Sequence, residues 1–141
     1  MPTVKTYNSK QITLALGSHA VSGMADDSFI TVAALGDGIT SKSGCDGEVA
    51  RAIDPNRQFS VKVVLLQTSV SNAFLQAQYN ADRATGDGMF PLLLKDLRGN
   101  TVRSADSAWV KKPADRGYGK ETTNREWELE TGPADFVEGT Y

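Results

Sequence analysis

The chain has 141 residues, with 15 basic and 17 acidic side chains and a formal net charge of −2. This balance argues against a protein that grips nucleic acid, because that task needs a strong basic field. A lone cysteine, Cys45, and a lone histidine, His19, exclude an intrachain disulfide and a zinc site of the usual kind. No apolar run reaches the about 20 residues of a membrane-spanning helix, and residues 1–5 lack a signal-peptide pattern. The sequence predicts one domain over residues 1–141, made in a cytoplasm and not inserted in a membrane.

The first half of the chain predicts strands separated by turns. Residues 10–16 alternate, with Ile12, Leu14 and Leu16 on one face, which indicates a half-buried strand. Residues 29–35 are apolar on both faces, which predicts a strand covered on both sides and paired with the first. Residues 36–47 contain four glycines and predict a long soft loop. Residues 48–53 predict a short strand.

The second half contains one helix between strands. Residues 57–67 alternate as a strand, and helical spacing follows, with Ser69 as a suitable cap and Gly86 as the end. The apolar stripe predicted to pack onto a sheet comprises Val70, Ala73, Phe74, Ala77 and Ala81. Strands over 89–97 and 101–112 flank a hairpin turn in which Gly99 is free to adopt a positive φ.

The last predicted strand, residues 125–130, follows a loop over residues 113–123. The sum is about seven strands and one helix without a βαβ rhythm. The predicted fold class is therefore mainly β, an antiparallel β-sandwich or barrel with one flanking α-helix.

Several short patterns imitate catalytic or metal sites. Residues 36–43 resemble a phosphate-binding loop, but Ser41 stands where glycine must precede Lys42, and no helix can follow. Ser18 and His19 are neighbours and point apart in an extended chain, so they predict no nucleophile–base pair. The pairs Asp26–Asp27 and Asp37–Asp46 do not have the spacing of a calcium loop, and Cys45 has no ligand partner nearby.

Three glutamates share one face of the last strand, opposite Trp127 and Leu129. Glu126, Glu128 and Glu130 cannot face a core, so they form either a solvated outer face or a deliberately acidic wall. Trp109 and Trp127 are most simply core or interface anchors.

Six blocks of the chain recur in an order and spacing that resemble the tail tube proteins of contractile-tailed phages. They are GEVARA (47–52), LLQTSVSNAFL (65–75), FPLLLKDLRG (90–99), AWVKKP (108–113), GKE (119–121) and NREW (124–127). The resemblance covers residues 6–130 and implies a fold similar to that of the type VI secretion tube protein.

The resemblance implies hexameric rings, stacked into a tube, in which inner strands from every copy form part of one ring-wide β-barrel. The implied partners are other copies of the chain and the tail sheath, baseplate and terminator proteins, with DNA only as passing cargo. The implied location is the virion tail, assembled in the host cytoplasm. The family has no catalytic residues, so none is assigned here, and no cofactor or metal is expected.

Two sets of residues are candidates for assembly roles. The soft segment is a candidate inter-subunit arm that bridges rings and becomes ordered on assembly; its residues are Gly36, Asp37, Gly38, Ile39, Lys42, Gly44, Asp46 and Gly47. Polar residues that alternate with apolar ones are candidates to face the channel; they are Gln11, Thr13, Glu126, Glu128 and Glu130.

Three alternatives stay open at the level of sequence. The first is a tube subunit of a phage-tail-like bacteriocin or secretion device, which shares the same physics. The second is a small nucleotide-handling enzyme that uses the loop around Lys42. The third is a monomeric binding module that does not self-assemble.

Overall fold

A computed structural model describes residues 2–26 and 28–141, which contain ten strands, one α-helix and a short 3-10 turn, Ser9–Gln11. The strands are β1 (Ile12–Leu16), β2 (His19–Ala20), β3 (Ile30–Ala34), β4 (Ile39–Ser43), β5 (Val49–Ile53), β6 (Phe59–Leu66), β7 (Phe90–Asp96), β8 (Thr101–Lys112), β9 (Asn124–Thr131) and β10 (Ala134–Val137). The helix α1 spans Ser71–Thr85.

One antiparallel sheet has the order β2-β1-β7-β8-β9-β6-β3, and β10 pairs with β8 beside it. Strand β8 has twelve residues and pairs with β7, β9 and β10 along its length. Strands β4 and β5 form a separate two-stranded sheet. The mainly β, antiparallel fold with one flanking helix is confirmed.

The core lies on one face of the large sheet, where period-two alternation places apolar side chains. Its most buried members are Leu14, Leu16, Val61, Val63, Leu65, Leu75, Trp127 and Leu129. Burial of each such side chain contributes about 1.5–3 kcal/mol relative to exposure. The sheet ends are linked by the segment after β2, because Val21 N–H donates to Leu14 O across 2.9 Å and Met24 bridges to Leu65.

Strand β3 differs from its prediction in both partner and burial. It pairs with β6 and not with β1, and Thr31, Ala33 and Ala34 are exposed. The prediction was wrong because apolar composition on both faces does not identify a partner strand. At the end of the sheet, one edge of β3 has no partner among the described residues.

The helix ends as predicted, but a different face is buried. Gly86 adopts φ +79°, and its N–H donates to Asp82 O. The Ser69 hydroxyl accepts the Ser71 N–H at 3.2 Å, although Val70 is the residue at the cap position. The buried helix residues are Ser71 and Leu75, with Phe74 and Tyr79 packed partly against the core.

The other residues of the predicted apolar stripe do not pack against the sheet, so that part of the prediction was wrong. Val70 is 69% exposed, and Ala73, Ala77 and Ala81 are also exposed. Alanine fits either face of a helix, so the larger Leu75 and Tyr79 set the buried side.

The turn between β7 and β8 takes its positive φ at Asn100, φ +55°, and not at Gly99 as predicted. Gly99 is buried instead, and a Cβ there would lie 2.9 Å from Tyr141 Cζ. Strand β10, which the sequence did not predict, follows β9 after a two-residue break at Gly132 and Pro133. These terminal residues complete the side of β8 that β9 leaves open.

Candidate assembly surfaces

The β4–β5 hairpin projects from the sheet with all ten strand residues exposed. Ile39 pairs with Ile53 and Ser43 with Val49 on one hairpin face, while Lys42 pairs with Ala50 on the other. The side chains of Ile39, Val49 and Ile53 are 58%, 61% and 73% exposed. A lone two-stranded hairpin is only marginally stable in water, and these three side chains form an exposed apolar surface on it.

Hydrogen bonds from backbone N–H groups to the Asp54 side chain fix the hairpin at its base. The Asp54 carboxylate accepts the Asp37 N–H at 2.8 Å and the Asn56 N–H at 3.0 Å. These bonds to Asn56 and Asp37 lower the pKa of Asp54, since they favour the charged form. Gly36 packs closely here, and a Cβ would lie 2.7 Å from Asn56 O. The hairpin therefore leaves the sheet in a defined direction.

The tip of the hairpin is a compact turn that contains the single cysteine. Gly44 N–H donates to Glu48 O across 2.8 Å, and the Asp46 carboxylate accepts the Glu48 N–H at 3.1 Å. Gly47 adopts φ +89°, which other residues rarely accept. Cys45 is exposed within this turn.

The prediction of an unstructured loop over residues 36–47 was therefore wrong. Gly36 and Gly38 lie at the base and Gly44 and Gly47 at the tip, so the intervening strand β4 contains no glycine. The glycine content of the whole segment indicated a loop, although the glycines lie only in the two turns and a strand lies between them. Its role as an inter-subunit arm stays a prediction.

The glutamate row lies on the outer face of β9, beside lysines from both neighbouring strands. Lys62 Nζ lies 3.0 Å from Glu126 Oε1, and Lys111 Nζ lies 3.2 Å from Glu130 Oε1. Glu128 stands opposite Lys62 on β6 in the strand register. The hydrogen bond and charge of Glu126, with a smaller contribution from Glu128, raise the pKa of Lys62. We call this group of residues, with Lys112, the paired-charge face.

The paired-charge face is not the purely acidic wall that the strand sequence suggested. Lys112 also stands opposite Glu128, so three lysines accompany three glutamates. Alternation in β6 and β8 placed Lys62 and Lys111 on outer faces, and that signal was available in the sequence. Their proximity to the glutamates depended on the pairing of β9 with both strands, which sequence alone did not reveal.

The other candidate channel residues lie elsewhere on the sheet. Gln11 belongs to the 3-10 turn before β1, and Thr13 is exposed on β1 opposite Lys95. Strands β7 and β8 separate β1 from β9, so these two residues and the glutamate row do not form one patch. Gln11 Oε1 is buried and has no hydrogen-bond partner among the described residues.

His19 meets a serine from a distant part of the chain, and not Ser18. Its Nε2 lies 2.9 Å from Ser71 Oγ, and its ring stacks on Phe74 at 4.3 Å between centroids. Ser71 is fully buried and also accepts the Ser22 N–H at 3.1 Å. The contact fastens β2 to the helix, and the buried hydroxyl is out of reach of a substrate.

The two tryptophans have different positions. Trp127 is fully buried, and its Nε1–H donates to Asn72 Oδ1 across 2.9 Å. Trp109 is half-buried beside Glu130 in the register. Trp127 is thus a core anchor, while Trp109 borders the paired-charge face.

The described residues contain no group of three or more His, Cys, Asp or Glu side chains placed to hold a metal ion. Of the Asp26–Asp27 pair considered for calcium, Asp27 lies outside the described residues. Lys42, considered for phosphate binding, lies within β4, and no helix follows that strand. Within residues 2–26 and 28–141, no helix has the length and apolar character required to span a bilayer.

Nearly the whole chain matches a known protein family. Residues 9–139 match the model of the bacteriophage PhiTE tail tube protein family. The structural protein ORF10 of Pseudomonas phage KPP10 is 30% identical over 142 residues, which cover 95% of this chain and 82% of that protein. The resemblance seen in the sequence is confirmed.

Solved structures share the fold at low sequence identity. One is the sheath/tube terminator of the extracellular contractile injection system PVC, with a TM-score of 0.65, 7% identity, and coverage of 96% of this chain and 99% of that one. Another comes from the PVC sheath–tube complex, with a TM-score of 0.62, 8% identity, and coverage of 94% and 92%.

Proposed function

Because the chain belongs to the bacteriophage PhiTE tail tube protein family, we propose that its copies form hexameric rings stacked around a channel that conducts DNA. It is a structural subunit of a phage tail tube. In the proposed assembly, inner strands of neighbouring copies join into a ring-wide β-barrel, which removes exposed strand edges. The subunit works by self-association, without a cofactor and without catalysis.

The observation that carries this proposal is the exposed β4–β5 hairpin. Its base is fixed, yet the side chains of Ile39 and Ile53, which stand opposite each other in the hairpin, remain mostly exposed. Burial of such side chains is favourable at about 25 cal/mol per Å² of apolar surface. The hairpin, with its flanking residues from Gly36 to Gly47, is the proposed inter-subunit arm.

The two ends of the subunit along its strands differ in structure, as head-to-tail stacking requires. The hairpin leaves the sheet just before Phe59, and α1 begins shortly after Leu66 at the other end of β6. An eight-residue strand separates these ends by roughly 25 Å. In the proposed tube, the hairpin end of one ring therefore faces the helix end of the next.

The paired-charge face is the proposed lining of the channel, with Gln11 and Thr13 as further candidates. Alternating lysines and glutamates give this surface little net charge, so it offers DNA phosphates no basic track. A duplex then passes without being held. In this arrangement the lysines neutralise the neighbouring glutamates, so the surface does not depend on repulsion of DNA phosphates by an acidic wall.

The proposed partners are a contractile sheath around the tube, a terminator at its end and a baseplate below it. Structural relatives occur in a sheath–tube complex and in a sheath/tube terminator. The virion tail is the site of action, and assembly takes place in the host cytoplasm. Likeness to injection systems favours a second candidate, the tube of a phage-tail-like device that carries no genome. Particles with and without packaged DNA distinguish the two.

Electron microscopy of the purified, concentrated protein tests this function. Hollow tubes, or rings with six-fold symmetry, are expected, if necessary after addition of phage baseplates as seeds. A variant with Ile39→Asp and Ile53→Asp should lose tubes while its circular dichroism stays unchanged. Featureless small particles from the unmodified protein, even with seeds, would contradict the proposal and favour a monomeric binding module.

A further inference from the structure

A groove of about 730 Å³ opens beside the unpaired edge of β3. Its apolar lining comes from β1, β3 and β7 and from the residue before β3: Ile12, Phe29, Ile30, Val32 and Leu94. Asp26 and Asp96 add two carboxylates, and Lys95 is the one cation among the described lining residues. The groove thus combines a free strand edge, an apolar surface and an excess of acid.

We infer that this groove receives the β4–β5 hairpin of a second copy of the chain. The inference rests on the proposed tube function and names the receptor surface for the hairpin. A strand added to a free sheet edge gains main-chain hydrogen bonds, and its alternate side chains reach the surface below. Here β3, β4 and β5 have five residues each, so either hairpin strand matches the free edge in length.

Charge complementarity supports this occupant. The two hairpin strands carry Lys42 and Arg51 and no acidic residue. Arg51 lies on the same hairpin face as Ile39 and Ile53, because its partner Ser41 alternates with them in register. That face therefore presents an apolar pair followed by a cation, which matches an apolar groove bordered by carboxylates.

Asp26 is the better partner for Arg51. The Asp96 carboxylate already accepts hydrogen bonds from the Tyr141 hydroxyl and from the N–H groups of Arg98 and Gly99. Asp26 is exposed and belongs to none of the ion pairs between described residues.

The hairpin cannot fill the groove of its own subunit. Leu35 N–H donates to Gln58 O across 3.0 Å, and Asp54 N–H donates to Gly38 O across 2.7 Å. These bonds fix the hairpin base beyond the Ala34 end of β3, whereas the groove lies along the Ile30 end. The occupant must therefore come from another copy.

The native thiol at the hairpin tip permits a direct test. Acceptor subunits carry Cys45→Ser together with Ser9→Cys or Ser28→Cys, each of which places a thiol in the lining of the groove. Donor subunits retain Cys45 and a larger tag, so a donor–acceptor product can only be intermolecular. Mixed tubes are treated with a short bis-maleimide, and the matched control acceptor carries Cys45→Ser with Ser18→Cys in the exposed β1–β2 turn.

Donor–acceptor products are expected with at least one groove cysteine and not with the control. Tubes that form normally but crosslink no better through the groove than through residue 18 would overturn the inference and leave the tube function standing. Failure of the unmodified protein to form any tube would overturn both.

Charge reversal supplies a second, independent readout. Arg51→Glu should lower the yield of tubes about tenfold, the effect of a 1.4 kcal/mol loss, and Asp26→Arg in the same chain should restore it. Lys42→Glu, on the opposite hairpin face, is the matched control and should have a smaller effect. Equal losses from both hairpin variants, without rescue, would count against the pairing of Arg51 with Asp26.

Discussion

The Tyr141 hydroxyl donates a hydrogen bond to the Asp96 carboxylate across 2.5 Å and ties residue 141 to the β7–β8 turn. The ring lies over Gly99, where a side chain would leave it no room. This hydrogen bond raises the pKa of Tyr141 to about 12 and is the largest cause of a lowered pKa for Asp96. The stabilisation that this contact provides should therefore depend on pH in both the acidic and the alkaline range.

Tyr141→Phe should lower the melting temperature at neutral pH, because it removes the donor to Asp96. The raised pKa of Tyr141 means that its stabilisation is complete below pH 10 and is lost as the pH rises from 10 towards 12. The lowered pKa of Asp96 means that its stabilisation is present above 3.8 and is lost as the pH falls below that value. Thermal unfolding at several pH values should show the two proteins converging at both extremes.

Tyr118→Phe is the control for this prediction, because Tyr118 is 78% exposed and its hydroxyl has no hydrogen bond with the described residues. Its melting temperature should follow that of the unmodified protein at every pH. A Tyr141→Phe effect that did not vary with pH would argue that the ring, and not the hydroxyl, provides the stabilisation.

Asn72→Ala should destabilise the subunit by about 1–3 kcal/mol, because it leaves the buried Trp127 indole N–H without an acceptor. The same side chain also donates to Leu66 O and Gln67 O before the helix. Urea unfolding followed by tryptophan fluorescence measures the loss. Asn80→Ala, at an exposed position of the same helix, should change the free energy of unfolding by less than about 0.5 kcal/mol.

Gly88→Ala should destabilise the subunit by about 1–3 kcal/mol, through overpacking after the helix. A Cβ there would overlap the Gln78 carbonyl oxygen and lie 2.6 Å from Asp82 Cβ. Both atoms belong to residues of α1, and neither can move away without disturbing the last turns of the helix. Chemical denaturation compares this variant with Gly117→Ala, whose new Cβ would meet nothing within 4 Å. The control should be neutral or slightly stabilising.

Replacing Glu126, Glu128 and Glu130 by lysine should convert the paired-charge face into a basic one. If this face lines the channel, assembled tubes should hold double-stranded DNA, and the binding should weaken steeply with salt. Labelled duplex retained by sedimented tubes provides the measurement. The control variant replaces Asp87, Asp106 and Glu121, which are exposed elsewhere, by lysine. It has the same net charge, so a difference in DNA retention reports the position of the new lysines. Equal retention by both variants would contradict the assignment of the lining.

The sequence predicted those elements whose signal is local and regular. Strand β6 and strand β9 follow from alternation, and the end of α1 follows from Gly86, which adopts the left-handed conformation that glycine allows. The loop before β9 was also predicted. Such features depend on neighbouring residues, so a single chain displays them.

Features that depend on distant partners were missed. Strand β3 pairs with β6, although the β4–β5 hairpin lies between them in the chain. Lys62 lies close to Glu126 only because β6 pairs with β9. Strand β10 is four residues long, and three of them are exposed, so it has almost no hydrophobic pattern. For residues 36–47, the candidate arm, the sequence predicted a loop and missed the hairpin, because the glycines that suggested a loop belong to the two turns.

The pairing of β1 with β7 has a consequence for how the subunit is made. Leu16 lies opposite Leu92, so β1 leaves the ribosome long before its partner has been synthesised. At about 5–20 residues per second, this delay is roughly 4–15 s. During that time the apolar face of β1 has no sheet to join, and non-local pairing of this kind is slow. The β7–β8 hairpin is local in the chain, whereas β1 can dock onto it only once most of the chain has been made.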